Sequence, residues 1–171
     1  MNDFLQEKRF DFIARDDKNF ILAFNLAMSS LGYGYGDKIG SGYCWGKYML
    51  IYTRSGVKSK KVFARIYIQN ETIVLRLFLN NIDKHRQYIE NAPPHIKQVF
   101  VGEHAACKHC HNDHEGVCRF RKIYILDDRL LEKCNGVTFE FHHPSVHKLP
   151  DYMALFTEFY PKKVSNRRTV P

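Results

Sequence analysis

Val62-Phe63-Ala64-Arg65-Ile66-Tyr67-Ile68-Gln69 and Thr72-Ile73-Val74-Leu75-Arg76-Leu77-Phe78-Leu79 are two runs separated only by Asn70-Glu71. Successive side chains of an extended chain point to opposite faces, so residues two apart share a face. Ile66, Ile68, Ile73, Leu75, Leu77 and Leu79 then line one apolar face of an antiparallel pair, with Gln69-Asn70-Glu71 as the tight connection. Asn80-Asn81 marks the end of the second run. A third run, Lys47 to Arg54, precedes the pair across a polar turn, Ser55 to Lys61, that carries Lys58, Lys60 and Lys61.

On either side of these strands the periodicity changes. From Asp16 to Leu31, Phe20, Phe24, Ala27, Met28 and Leu31 recur at helical spacing. Asp16 and Asp17 suit the positive start of that helix and Gly32 its end. Phe4 to Ile13 is read as a shorter helix before it. Downstream, Asn80-Asn81 can cap a helix from Ile82 to Glu90, and a second short helix runs from Pro94 to Phe100. Arg119 to Leu126 and Arg129 to Cys134 read as a hairpin around Asp127-Asp128, with Val137 to His142 as a third strand. Leu149, Tyr152, Met153, Phe156 and Tyr160 mark an amphipathic helix with Pro150 in its first turn and Pro161 at its end.

The expectation is an α+β fold: an antiparallel sheet of about six strands, helices mainly on one face, and a zinc-stapled loop. The order of elements suggests two β-β-β-α halves sharing the sheet. Residues 1–160 read as a single domain with the loop 104–136 inserted. Residues 161–171 carry Lys162, Lys163, Arg167 and Arg168 without an acidic residue and read as a disordered tail.

A chain of 171 residues can bury a sizeable core, and 44% hydrophobic with 26% charged residues is ordinary for a soluble globular protein. The aromatic fraction of 14% favours a fold rich in pleated surface. A net charge of +8 admits nucleic acid or acidic ligands as partners. Met1-Asn2-Asp3-Phe4 lacks a basic start followed by an apolar run, and no run of about 18 apolar residues occurs. The expected setting is the cytoplasm, without membrane contact and with reduced thiols.

Four of the five cysteines fall in one segment: Cys107-Lys108-His109-Cys110, then Cys118, then Cys134. Two cysteines separated by two residues can aim both sulfurs at one metal. Two more complete the tetrahedron that zinc takes in structural sites. In a reducing compartment such a cluster reads as a ligand set rather than as disulfides. Lys108, Arg119, Arg121, Lys122 and Lys133 lie close in sequence and favour thiolate over thiol; they also read as a solvated basic strand. A tetrathiolate zinc centre carries −2 and would lower the net charge to +6. His104, His109, His111 and His114 are alternative ligands, and a set with an open position would suit hydrolytic chemistry. The hairpin supplies an internal check. With a two-residue loop at Asp127-Asp128, Cys118 and Cys134 fall on opposite faces. A shared zinc then requires a longer loop, a bulge, or a Cys118 that lies before the strand.

Gly32 to Gly46 holds six of the ten glycines, with Tyr33, Tyr35, Tyr43 and Trp45 among them. A nucleotide-binding loop ending at Gly46-Lys47 would need glycine at position 41 and Ser or Thr at 48; these are Ser41 and Tyr48. The segment reads instead as a flexible aromatic loop whose rings pack on a sheet edge or line a ligand pocket. Cys44 reads as a small buried residue. Glu140 and His142 share the face of their strand opposite Phe139 and Phe141, an exposed face rather than an acid–base pair.

The runs Cys118-Arg119-Phe120-Arg121-Lys122, Glu132-Lys133-Cys134-Asn135-Gly136-Val137-Thr138-Phe139-Glu140-Phe141 and Leu149-Pro150-Asp151-Tyr152 to Phe159-Tyr160-Pro161 resemble a group of small bacterial proteins without an assigned activity. The resemblance covers the last third of the chain. It implies a bacterial cytosolic setting and cysteines acting as a set, and it carries no activity. The function expected is a zinc-binding, non-catalytic binding or regulatory module with a structural zinc, its small-molecule ligand held between the sheet and the Gly32–Gly46 loop. The alternatives are nucleic-acid binding, a zinc-dependent hydrolase with a histidine-containing site, and a thiol redox sensor at Cys107 and Cys110.

Overall fold

The computed structural model describes residues 4–58, 61–101, 121–133 and 137–162. After two short 3-10 turns, Phe4–Gln6 and Lys8–Phe10, helix α1 spans Arg15–Ser30. Asp16 and Asp17 stand in its first turn, where negative charge meets the exposed N–H groups. Phe20, Ile21, Phe24 and Met28 form its buried stripe. Gly32, at φ +83°, takes the left-handed conformation that ends a helix at little cost to glycine.

Among the described residues there are eight strands: β1 (Tyr33–Gly34), β2 (Ile39–Ser41), β3 (Tyr48–Arg54), β4 (Ala64–Ile68), β5 (Ile73–Phe78), β6 (Lys122–Leu126), β7 (Arg129–Lys133) and β8 (Thr138–His142). Between β5 and β6 lie a 3-10 turn (Ile82–His85) and helices α2 (Arg86–Glu90) and α3 (Pro94–Val101); α4 (Leu149–Phe159) closes the fold. Six strands form one antiparallel sheet in the order β1-β3-β4-β5-β8, with β2 sharing the β3 edge occupied by β1.

The register sorts side chains by face. Leu50, Ile66, Leu75 and Phe141 form one cross-strand row and Tyr52, Ala64, Leu77 and Phe139 the next. These residues belong to the main core, together with Phe20 and Phe24 of α1, Phe100 of α3, and Tyr152, Leu155 and Phe156 of α4. The helices therefore cover this face. Burial of each leucine, isoleucine or phenylalanine side chain among them contributes about 1.5–3 kcal/mol. The opposite rows, Met49-Tyr67-Val74-His142 and Ile51-Arg65-Arg76-Glu140, have no α-helix over them among the described residues.

Several expectations change. The two halves do not share one sheet: among the described residues β6 and β7 pair only with each other, and of the second half β8 alone joins the main sheet, beside β5. The cause is local. The Ile125 N–H donates to Asp83 Oδ1 (3.0 Å) where a sheet strand would accept it. The turn docks on α2 and α3: Asp127 N–H to Glu90 Oε1 (2.7 Å), Lys97 Nζ to Asp127 Oδ1 (2.8 Å) and Arg86 Nη2 to Asp128 Oδ1 (2.6 Å). Tyr124 donates its hydroxyl to the Phe100 carbonyl (2.7 Å) on the hairpin's buried side. The fifth and sixth strands of the sheet come instead from the glycine-rich segment, which forms β1 and β2 rather than a loop. Phe4 to Ile13 gives two 3-10 turns, not a helix. Asn81 makes no side-chain cap; it adopts φ +58° and turns the chain.

Candidate ligand-binding site

Two arginines stand on the sheet face opposite α1, α3 and α4. Arg76, in the middle of β5, is only 5% exposed. A buried guanidinium is costly unless compensated. Glu140, opposite it on β8, supplies the carboxylate through a hydrogen bond from Arg76 Nη2. Arg76 Nη1 also donates to the Tyr67 hydroxyl at 3.2 Å, and Arg65 Nη1 donates to the same oxygen at 3.1 Å. Tyr67 thus accepts two charge-assisted bonds, which fixes both guanidinium planes. His142 Nε2 lies 3.6 Å from Glu140 Oε2, so Glu140 stands between a buried cation and a surface imidazole. Glu140 and His142 thus share one strand face, with Glu140 also bonded to Arg76.

Above them lies the turn Gly42-Tyr43-Cys44-Trp45-Gly46, built on two close approaches. A Cβ on Gly42 would stand 2.2 Å from the Gly46 carbonyl oxygen, and one on Gly46 would stand 2.7 Å from that of Ile68. The turn is tied down by Trp45 N–H to the Gly42 carbonyl (3.0 Å), Lys47 N–H to the Ile68 carbonyl (2.8 Å) and Gln69 Nε2 to the Trp45 carbonyl (3.0 Å). Tyr43 adopts φ +52°, an uncommon conformation for a non-glycine residue. Its ring is 80% exposed. The Trp45 ring covers the Arg76 guanidinium at 4.2 Å and remains 50% exposed. Cation–π contact of this kind holds an indole in place while leaving its outer face free.

Between turn and sheet is a depression of about 480 Å³ lined by Gly40, Ser41, Gly42, Tyr43, Trp45, Met49, Ile51, Arg65 and Tyr67. That size is in the range of small-molecule sites, which are mostly apolar with a few placed polar groups. Here Tyr43, Trp45, Met49 and Ile51 are the apolar wall and Arg65 the charged group. Among the described residues Arg65 has no carboxylate partner, and the Nε–H groups of Arg65 and Arg76 are buried without an acceptor.

Of the four aromatic residues singled out in the glycine-rich segment, Tyr43 and Trp45 meet at this depression. Tyr33 and Tyr35 do not. Tyr33 is buried against Phe63 and Phe156, with ring centroids 4.8 and 5.1 Å away, and Tyr35 packs on Phe4 at 5.5 Å and Tyr52 at 6.0 Å. Cys44 is exposed rather than buried, because the 3-10 turn carries it outward. Sequence reading missed Arg65, Tyr67 and Arg76, and took Glu140 only as part of an exposed face with His142. The available signal was a charge in the middle of each of two otherwise apolar central strands, which a half-buried sheet rarely tolerates without a partner.

Cys107, Cys110, Cys118 and Cys134, and His104, His109, His111 and His114, lie outside the described residues. The register around them is visible. Lys122 pairs with Lys133 and Leu126 with Arg129, so the loop is the two-residue Asp127-Asp128, both at positive φ. β6 begins only at Lys122, beyond Cys118 in the chain. Among the described residues no group of three or more His, Cys, Asp or Glu side chains is placed to hold a metal.

A smaller depression of about 300 Å³ is lined by Lys84, His85, Gln87, Tyr88 and Glu158. His85 Nδ1 lies 2.8 Å from Glu158 Oε1, and its ring rests 3.9 Å from that of Phe159. The only hydroxyl in this lining is that of Tyr88. Burial, then the charges of Glu158 and Asp151, push its pKa above the phenol range, away from a nucleophile. Among the described residues no helix is long and apolar enough to cross a membrane. Comparisons with protein-family models, with curated proteins and with solved structures found no match to this chain.

Proposed function

We propose that the protein is a non-catalytic binding module that holds a small molecule on the sheet face opposite α1, α3 and α4, under the turn Gly42 to Gly46. The observation that carries this reading is the depression walled by Tyr43 and Trp45 and reached by Arg65. The turn's two glycine contacts and the Arg76–Glu140 pair hold that wall in place before any ligand arrives. Prior ordering of this kind lowers the cost of binding. In the same reading Cys107, Cys110, Cys118 and Cys134 hold one structural zinc. Its support is the cysteine spacing, with β6 beginning beyond Cys118 so that the opposed strand faces do not bar a shared metal.

Trp45 is the one tryptophan of the chain, so its fluorescence reports on this site alone. Small-molecule fractions from a bacterial extract should change Trp45 emission in the native protein and leave it unchanged in Gly42→Ala, where the turn cannot close. No response to any fraction removes the binding reading. Metal-dependent turnover of an ester, phosphate or amide substrate removes the non-catalytic one.

A second reading, nucleic-acid binding, is favoured by a separate depression of about 390 Å³ in which Arg54, Lys61 and Lys162 rim Tyr33, Phe63 and Tyr160. Lys61 Nζ stands over both the Phe63 ring (4.9 Å) and the Tyr160 ring (5.3 Å). Salt-sensitive binding of single-stranded DNA or RNA would support it. Absence of binding at low salt would remove it.

A further inference from the structure

The charge of the depression and its two exposed rings restrict what it can hold. Its lining and the row beneath it contain two guanidinium groups, Arg65 and Arg76, and one carboxylate, Glu140. Glu140 is committed to Arg76. The surplus is one positive charge, on Arg65, whose second terminal nitrogen makes no hydrogen bond among the described residues. Arg65 is also kept in place: its other terminal nitrogen is bound to Tyr67, and its guanidinium lies 5.3 Å from the centre of the Phe78 ring. An arginine fixed at one edge with free donors at another matches the planar fork of a carboxylate better than it matches a neutral group.

The opposite wall is aromatic. The inner face of Trp45 rests on Arg76, and its outer side is half exposed beside Tyr43. Met49 and Ile51 complete an apolar floor. A planar ring between this wall and the sheet would cover apolar surface while its acidic substituent reaches Arg65. Lining by Ser41 and by the backbone of Gly40 and Gly42 adds small polar groups at the rim without adding a charge.

We propose that the ligand is a planar aromatic monoanion, an aryl carboxylate in chemical class, with its ring against Trp45 and Tyr43 and its carboxylate on Arg65. This rests on the binding reading above and adds the ligand's charge and shape to it. The test uses 2-naphthoate and its neutral counterpart 2-naphthamide, followed by the single tryptophan indole N–H resonance of ¹⁵N-labelled full-length protein. The expected result is that naphthoate shifts the Trp45 resonance with a dissociation constant at least tenfold lower than that of naphthamide, and that Arg65→Gln removes the difference. Equal binding of acid and amide by the native chain overturns the charge assignment and leaves the binding reading standing. That comparison needs no variant, so it decides the matter even if Arg65→Gln perturbs the fold. Failure of both probes to move the Trp45 resonance overturns the aromatic assignment and counts against the binding reading as well.

Discussion

Tyr52 sits at the centre of the core, its ring edge-on to Phe24 at 5.1 Å. Its hydroxyl is buried without a hydrogen-bond partner among the described residues. A hydroxyl in that state costs about 1–3 kcal/mol, because water is given up and nothing replaces it. Tyr52→Phe should therefore raise the free energy of unfolding by about 1 kcal/mol in a urea titration; a loss of stability would show that the hydroxyl has a partner. Gly42 makes the opposite case. Its φ of −78° suits any residue, so only the 2.2 Å approach to the Gly46 carbonyl demands glycine. Gly42→Ala should cost about 1–3 kcal/mol through displaced backbone. Trp45 emission should move to longer wavelength as the indole leaves Arg76. An unchanged spectrum would mean that the turn is not what holds the ring.

Among the elements, the central strands were the most legible in the sequence. Alternation over Val62 to Leu79 located β4, β5 and the face that faces the helices, because one buried face leaves no freedom of register. The helical stripe of Phe20, Phe24 and Met28 located α1 for the same reason. The glycine-rich segment misled because β1 and β2 are too short to show a period; they form because β3 offers a free edge. The hairpin was found, but not its separation from the sheet. That depends on Asp83, Glu90 and Lys97, whose reach across space leaves no local trace. Of the site, Tyr43 and Trp45 were legible as exposed aromatic residues near glycines. Arg65 and Arg76 were passed over because pattern reading weighs the apolar positions of a strand first. The Arg76–Glu140 pair links β5 to β8 and gives this scale its test. Glu140→Ala leaves a buried guanidinium uncompensated and should cost about 3–5 kcal/mol. The double replacement Arg76→Leu with Glu140→Leu should cost less than Glu140→Ala alone. If the double variant is the less stable of the two, the pair contributes more than mutual compensation.

At the scale of the whole molecule the core includes Tyr33, Tyr52, Tyr124 and Tyr152. Burial pushes the Tyr124 pKa up to about 12 and, with a smaller contribution from Asp151, the Tyr152 pKa up to about 12. Burial, and then Tyr35, pushes Tyr52 higher still. Each begins from an unperturbed value of 10.0 in the unfolded chain. A group whose pKa is raised on folding holds its proton more tightly in the native state. Its contribution is therefore complete below pH 10 and is lost as the pH rises toward 12. Stability should fall steeply across that window. Tyrosinate absorbance from these residues should appear in one step with the loss of far-ultraviolet circular dichroism. Gradual ionisation without unfolding would contradict this packing.

To the molecule as a whole belongs the proposal that the chain is a binding module with one structural zinc held by four thiolates. The direct measurement is metal content per chain on protein purified without added metal, together with thiol reactivity before and after unfolding in a chelator. The chain has five cysteines, and Cys44 is exposed. About one zinc per chain is expected, with one thiol reactive in the native protein and all five after unfolding. No metal, with several thiols freely reactive in the native state, would contradict the account and turn attention to Cys107 and Cys110 as redox or catalytic groups.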